Sequence, residues 1–266
     1  MDRIPPWVKD LQKARREKLL GREILYFEST ASTNRQARAE ALQGAPEGLA
    51  VIAESQSQGR GRMGRSWISP AGVNVYLSTV LRPPFPPERA PQLTILAGVS
   101  CARAIRQTTG LEARLKWPND IFIRGKKAAG ILAEMEGENS RLAFIILGIG
   151  INVNWGFEGM PAELRETATS LRVEAGREFD RAALAAEALA ELEKDYLFFR
   201  KEGFSEKMRE EWNRLALGIG KRATLTFLGQ TLSGEIKGLD LDGALLFIDP
   251  EGNTRRFMAG DVSLRF

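Results

Sequence analysis

Nine residues, Gly59-Arg60-Gly61-Arg62-Met63-Gly64-Arg65-Ser66-Trp67, hold three arginines spaced by three glycines. Glycine lets a ligand approach the backbone and a guanidinium offers a bidentate fork, so the run suits phosphate or carboxylate oxygens. A merely exposed basic loop would carry its arginines more sparsely. A nucleic-acid contact would want an aromatic stacking surface, which the neighbourhood lacks. The glycines also spell G-x-G-x-x-G and come close to a P-loop, but both motifs need a helix opening directly behind them. The segment behind them is WISPAGVNVYLSTV, a turn and then a strand, and the nearest acidic residue at the expected distance, Glu88, sits among prolines. Neither nucleotide motif applies.

The rest of the composition narrows the chemistry. The 266 residues contain no histidine, which removes Ser-His-Asp triads, Cys-His pairs and His-ligated zinc. Cys101 is the only cysteine, so no intramolecular disulfide or Cys-rich metal site can form. Lys+Arg 38 against Asp+Glu 34 leaves a net charge of +4, too balanced for a polybasic tail. The N-terminus has no apolar core of a leader and carries Asp2, Asp10 and Glu17. No run of eighteen apolar residues occurs, so a cytoplasmic protein without membrane contact is expected.

These residues need a scaffold, and the pattern supplies an α+β one. A short basic helix is expected over 8–19, a strand over 24–27, and a helix opening at Ser32-Thr33-Asn34. Strands are expected at 49–53 and 73–81, then a helix over 93–108. Strand-like runs at 113–117, 121–123, 129–134 and 143–149 come next, the last two joined by a turn near 137–140. Residues 180–217 read as two helices broken near Gly203, and about 45 residues of alternating short strands close the chain as a small barrel. The expected division is a helical extension (1–22), a mixed sheet with helices (23–217) and a β domain (218–266).

Five motifs in order then carry a resemblance. ESTASTN at 28–34, ESQSQGRGRMGRSW at 54–67, KWPND at 116–120, KKAAGIL at 126–132 and GIGINVN at 148–154 together resemble the biotin protein ligase family, biotin–[acetyl-CoA-carboxylase] ligases, from about residue 24 onward. The resemblance implies a catalytic domain related to class II aminoacyl-tRNA synthetases and a C-terminal SH3-like barrel. It implies biotin and ATP as substrates, Mg2+, a biotinyl-5′-AMP intermediate, and a biotin carboxyl carrier protein as the acceptor. Neither chemical step needs a histidine.

Carried over position by position, Ser32, Thr33 and Gln56 match residues that bind the ureido ring, and Asn34 lies beside them. The ordinary alternative for 32–34 is a helix cap, which the same residues can also provide. Gly59, Arg60, Gly61 and Arg62 match the family's ligand loop, with Arg65 placed for ATP phosphates and Trp67 for packing on the ligand or anchoring the next strand. Met63 departs from the arginine common at its position, leaving the loop one charge short. Lys127 matches the lysine that meets carboxylate and α-phosphate together, an alignment that would offset charge in the transition state. Its alternative is a solvated Lys126-Lys127 pair. Gly130 and Leu132 lie next on the biotin wall. Lys116, Asn119, Asn152 and Asn154 match nucleotide positions, and Asp120 is a candidate for Mg2+ or for attracting the incoming amine, with a simple turn as its competitor.

Many relatives carry an N-terminal DNA-binding module of roughly sixty residues; with about twenty-five residues ahead of the first expected strand, a ligase without repressor function or DNA partner is expected. Homodimerisation is left open. A lipoate or octanoate ligase of the same fold, or a non-catalytic basic nucleic-acid-binding protein, are the alternatives. The first would lack a ureido site and the second would show salt-steep nucleic-acid binding.

Overall fold

A computed structural model describes residues 4–138 and 141–264. Its first element is helix α1 (Pro6–Arg15), opened by proline at its first position, where a missing N–H costs nothing. Then come β1 (Ile24–Thr30), α2 (Thr33–Leu42), β2 (Ala50–Gln56), β3 (Val75–Leu81) and the long α3 (Ala90–Thr109), which ends on left-handed Gly110. The strands β4 (Arg114–Lys116), β5 (Asp120–Ile123), β6 (Lys126–Glu138) and β7 (Arg141–Ile151) are next, then α4 (Leu171–Ala175), α5 (Arg181–Glu202) and α6 (Glu206–Leu215). Asp180 and Ser205 cap α5 and α6 through their side chains, and the break at Gly203 falls where the composition places it. The tip of the β6–β7 turn, residues 139–140, lies outside the described residues.

The first seven strands form one sheet in the order β1-β2-β3-β7-β6-β5-β4, mixed because β1 and β2 are parallel and the other described pairs antiparallel. Period-2 alternation divides its faces. Ala50 and Ile52 of β2 with Val75, Leu77 and Leu81 of β3 turn toward α1, α3 and α5 in the main core. Leu49, Val51, Val80, Phe144 and Ile146 turn the other way, onto Ala37 and Ala41 of α2. Since α2 covers only part of that second face, the remainder is open for a site.

The strands β8 (Arg222–Phe227), β9 (Gln230–Leu239), β10 (Leu245–Ile248), β11 (Thr254–Phe257) and β12 (Asp261–Leu264) form a second, antiparallel sheet in the order β11-β10-β9-β8-β12. Its apolar residues Leu225, Ile236, Leu239, Phe247 and Val262 join the main core. The chain reaches it by pairing Leu217 N–H with the Leu115 carbonyl, 2.6 Å away. The architecture is the expected α+β one, a mixed sheet with helices and then a small antiparallel sheet. Among the described residues no helix is long and apolar enough to cross a membrane.

Candidate active site

Along β3, β6 and β7 the positions facing the open side of the sheet are Tyr76 and Ser78; Gly130, Leu132 and Glu134; Gly148 and Gly150. Gly130 and Gly150 pair directly across the strands, as do Leu132 and Gly148. Three side chains are therefore missing from one patch of the face, which leaves a trough beside the N-terminus of α2. The glycines are needed for close approach rather than for backbone freedom. A Cβ on Gly148 would lie 2.1 Å from Asn34 Oδ1, and one on Gly150 2.8 Å from the Trp67 indole.

The neutral polar end of the trough is built by β2 meeting α2. Gln56, the last residue of β2, accepts from the Thr33 backbone N–H at 2.8 Å and donates to Ser69 Oγ at 2.9 Å. Ser32 stands at the N-cap position in extended backbone, yet its side chain makes no cap bond. The cap expected from residues 32–34 is thus supplied from outside the helix by Gln56, since its amide reaches the orphan N–H that a serine would have taken. Asn34 is 4% exposed and spends its amide on Leu132 O and Glu134, so its side chain braces the trough rather than facing a ligand.

The arginine loop folds as a flap over this patch. Trp67 N–H bonds Gly59 O at 2.9 Å and Gly61 N–H bonds Arg65 O at 2.7 Å, closing a narrow hairpin. Its tip needs two left-handed residues, Met63 (φ 55°) and Gly64 (φ 74°). Met63 is exposed there, outside the trough. Gly59 lies in the flap's stem, where a Cβ would sit 2.3 Å from Trp67 O, and so serves closure rather than lining the trough. The Trp67 ring rests on Gly130 and Gly150.

Cations converge at the other end. Lys127 Nζ is 5.3 Å from the centre of the Trp67 ring and 2.6 Å from Asp120 Oδ1, an ion pair without an aligned hydrogen bond. Lys126 diverges from it and donates to Arg165 O. Arg62 reaches Asn119 Oδ1 (3.4 Å), Gly260 O (3.3 Å) and Asp261 (3.7 Å), while Arg65 pairs with the same Asp261. Burial lowers the Arg62 pKa, and Asp261 and Asp120 oppose that shift. Burial likewise lowers Lys116, whose ammonium stands 5.2 Å from the Phe122 ring, outside the trough. Arg60 faces Glu134 at 3.7 Å.

The structure thus gathers Ser32, Thr33, Asn34, Gln56, Arg60, Gly61, Arg62, Arg65, Trp67, Asn119, Asp120, Lys127, Gly130 and Leu132 around one cleft. Asn152 is not part of that lining: Nδ2 donates to Thr169 O, and the buried Oδ1 has no hydrogen-bond partner among the described residues. Asn154 Nδ2 donates to Phe179 O, and its Oδ1 accepts from the Phe179 N–H. Sequence reasoning missed Ser78, Glu134, Gly148 and Asp261. Only Ser78 and the alternate glycines left a signal, as small residues punctuating otherwise apolar strands.

As for Mg2+, no group of three acidic, histidine or cysteine side chains is poised to hold a metal among the described residues, and Asp120, the cleft's carboxylate, is engaged by Lys127. These residues offer no cage for a resident ion.

A trough with neutral amide and hydroxyl groups at one end and converging cations at the other, under a glycine-arginine flap, defines a site for an apolar acid and an anionic cosubstrate. Residues 26–152 match the model of the biotin/lipoate A/B protein ligase family, and 218–265 that of the biotin protein ligase C terminal domain. The bifunctional ligase/repressor BirA of Bacillus subtilis is 40% identical over 92% of this chain and 75% of its own length. The biotin–[acetyl-CoA-carboxylase] ligase of Mycobacterium tuberculosis is 33% identical over 98% of this chain and 97% of its own. The biotin protein ligase of Aquifex aeolicus, solved with biotin and ATP, superposes with a TM-score of 0.79 at 28% identity, covering 91% of this chain and 98% of that one. The chain belongs to the biotin protein ligase family and is a ligase enzyme.

Proposed function

We propose that the protein joins biotin to one lysine of a biotin carboxyl carrier protein, using ATP, through biotinyl-5′-AMP. The observation that carries this reading is the polarity of the trough: uncharged Thr33 and Gln56 at one end, Lys127 at the other, glycines between. A bicyclic urea would bond to the neutral end, its alkyl chain would run along the Trp67 ring where that ring rests on Gly130 and Gly150, and its carboxylate would meet Lys127.

In the first step a carboxylate oxygen attacks the α-phosphorus of ATP and the bond to pyrophosphate breaks. Two anions are forced together, so the obstacle is electrostatic. Lys127 leaves Asp120 for the carboxylate and α-phosphate, and Arg62, with Arg65 nearer solvent, turns from Asp261 to the phosphates. The buried Asn152 Oδ1, without a partner among the described residues, suits the exocyclic amine of adenine. Mg2+ would belong to the ATP substrate, where it would offset phosphate charge, since the described residues offer no cage for it. In the second step the neutral carrier amine attacks the acyl carbon, AMP departs and the amine loses a proton. Asp120, released by Lys127, lies where it would draw that amine in.

The division into extension, catalytic domain and β domain at residues 22 and 217 belongs to this reading. Its test is pyrophosphate release from ATP with biotin, with lipoate and with neither. Release is expected with biotin alone, and Lys127→Ala should lower it by about 10²–10³-fold at an unchanged melting temperature. Release with lipoate, or full activity in the variant, would overturn the reading.

A further inference from the structure

All seven residues of β3 are buried, yet Ser78 stands among them. Its hydroxyl lies 2.6 Å from Asn34 Oδ1 and 2.8 Å from Thr33 Oγ1. An amide oxygen can only accept, so the serine proton goes to Asn34. The Thr33 proton goes to another amide oxygen, Gln56 Oε1 at 3.1 Å, so the Thr33 contact shares the serine proton and one Thr33 lone pair stays open to a ligand N–H. Beyond Asn34 the direction continues: its Nδ2 donates to Glu134 Oε2 at 2.7 Å, and Glu134 Oε1 faces the Arg60 guanidinium at 3.7 Å. A single chain of groups therefore runs from the neutral end of the trough to the flap.

We infer that Glu134 is a positioning residue that joins these two parts. It anchors the Asn34 amide, which with Ser78 orients the acceptor on Thr33, and it holds Arg60 over the trough, so that binding of a ureido ring and closure of the flap act as one event. This rests on the biotin reading above. The Arg38–Glu136 pair, 2.7 Å apart and two residues along the same face of β6, supplies a control outside the chain.

The experiment compares Glu134→Gln, Arg60→Gln, the double variant and Glu136→Gln by calorimetric biotin binding and by proteolysis of residues 57–66 with and without biotin. Glutamine is isosteric and Glu134 is 38% exposed, so the fold is expected to persist. Each of the first two changes should weaken biotin by about ten-fold, with the double variant no weaker than the worse single one, because both remove one coupling. Biotin should protect the flap in wild type and Glu136→Gln but not in Glu134→Gln, at equal melting temperatures. Additive losses, or wild-type binding and protection in Glu134→Gln, would overturn the inference. Failure of the wild type to bind biotin would instead overturn the underlying reading and this with it.

Discussion

Replacing Gly150 by alanine tests the trough directly. The new Cβ would stand 2.8 Å from Cε2 and Nε1 of Trp67, so the indole must lift by about 0.6 Å to reach the 3.4 Å of ordinary contact. Overpacking costs about 1–3 kcal/mol when the neighbour is locked in a core. Trp67 is only half-buried on a flap, so about 1 kcal/mol is the expected cost, a fall of about 2–4 °C in melting temperature for a chain of this size. Binding should suffer more. The lifted ring changes the trough's roof and moves the contact with Lys127, and misplacement approaching 1 Å can cost 10²-fold in rate. Biotin affinity measured by titration calorimetry should drop about ten-fold, with a larger loss in pyrophosphate release. Gly130→Ala, whose Cβ would meet the indole at 3.2 Å, should do less, and Gly156→Ala, with nothing within 4 Å, should do nothing. Wild-type biotin affinity in Gly150→Ala would refute the placement of the ligand against Trp67.

Asp261→Ala removes the carboxylate that holds Arg62 and Arg65, and should speed proteolysis within residues 57–66 while shifting stability by less than about 1 kcal/mol, as partly exposed ion pairs do; high salt should bring wild type toward the variant. Asn152→Ala should raise the KM for ATP about ten-fold, the equivalent of one lost hydrogen bond to a buried acceptor, and leave the KM for biotin alone in steady-state assays. Cys101 is fully buried in α3, and burial pushes its thiol up to about 12, so a thiol reagent at mildly alkaline pH should label it only once the chain is unfolded. Rapid labelling of the native protein would show that α3 opens locally.

How much of the molecule is legible in its sequence depends on the range of the interaction. Local rules suffice for the two helices on either side of Gly203, for the strands with period-2 alternation and for the mixed sheet before an all-β end, because turn chemistry and side-chain period act within a few residues. Chemistry is legible too: without histidine, an arginine-glycine loop and Lys127 have to work on anions, and the five ordered motifs point to the family. Pairing across long separations is not. Nothing local tells that Gly130 faces Gly150, that an amide at residue 56 caps a helix opening at residue 33, or that Asn154 bonds the Phe179 backbone. Nor does Asp261 of the terminal sheet announce itself as the counter-charge of a flap some two hundred residues earlier. Residue type determined which chemistry was possible. Which side chains meet was decided by sheet register and the docking of the second sheet, since a one-residue slip of β6 or β7 would turn that strand's glycines to the opposite face.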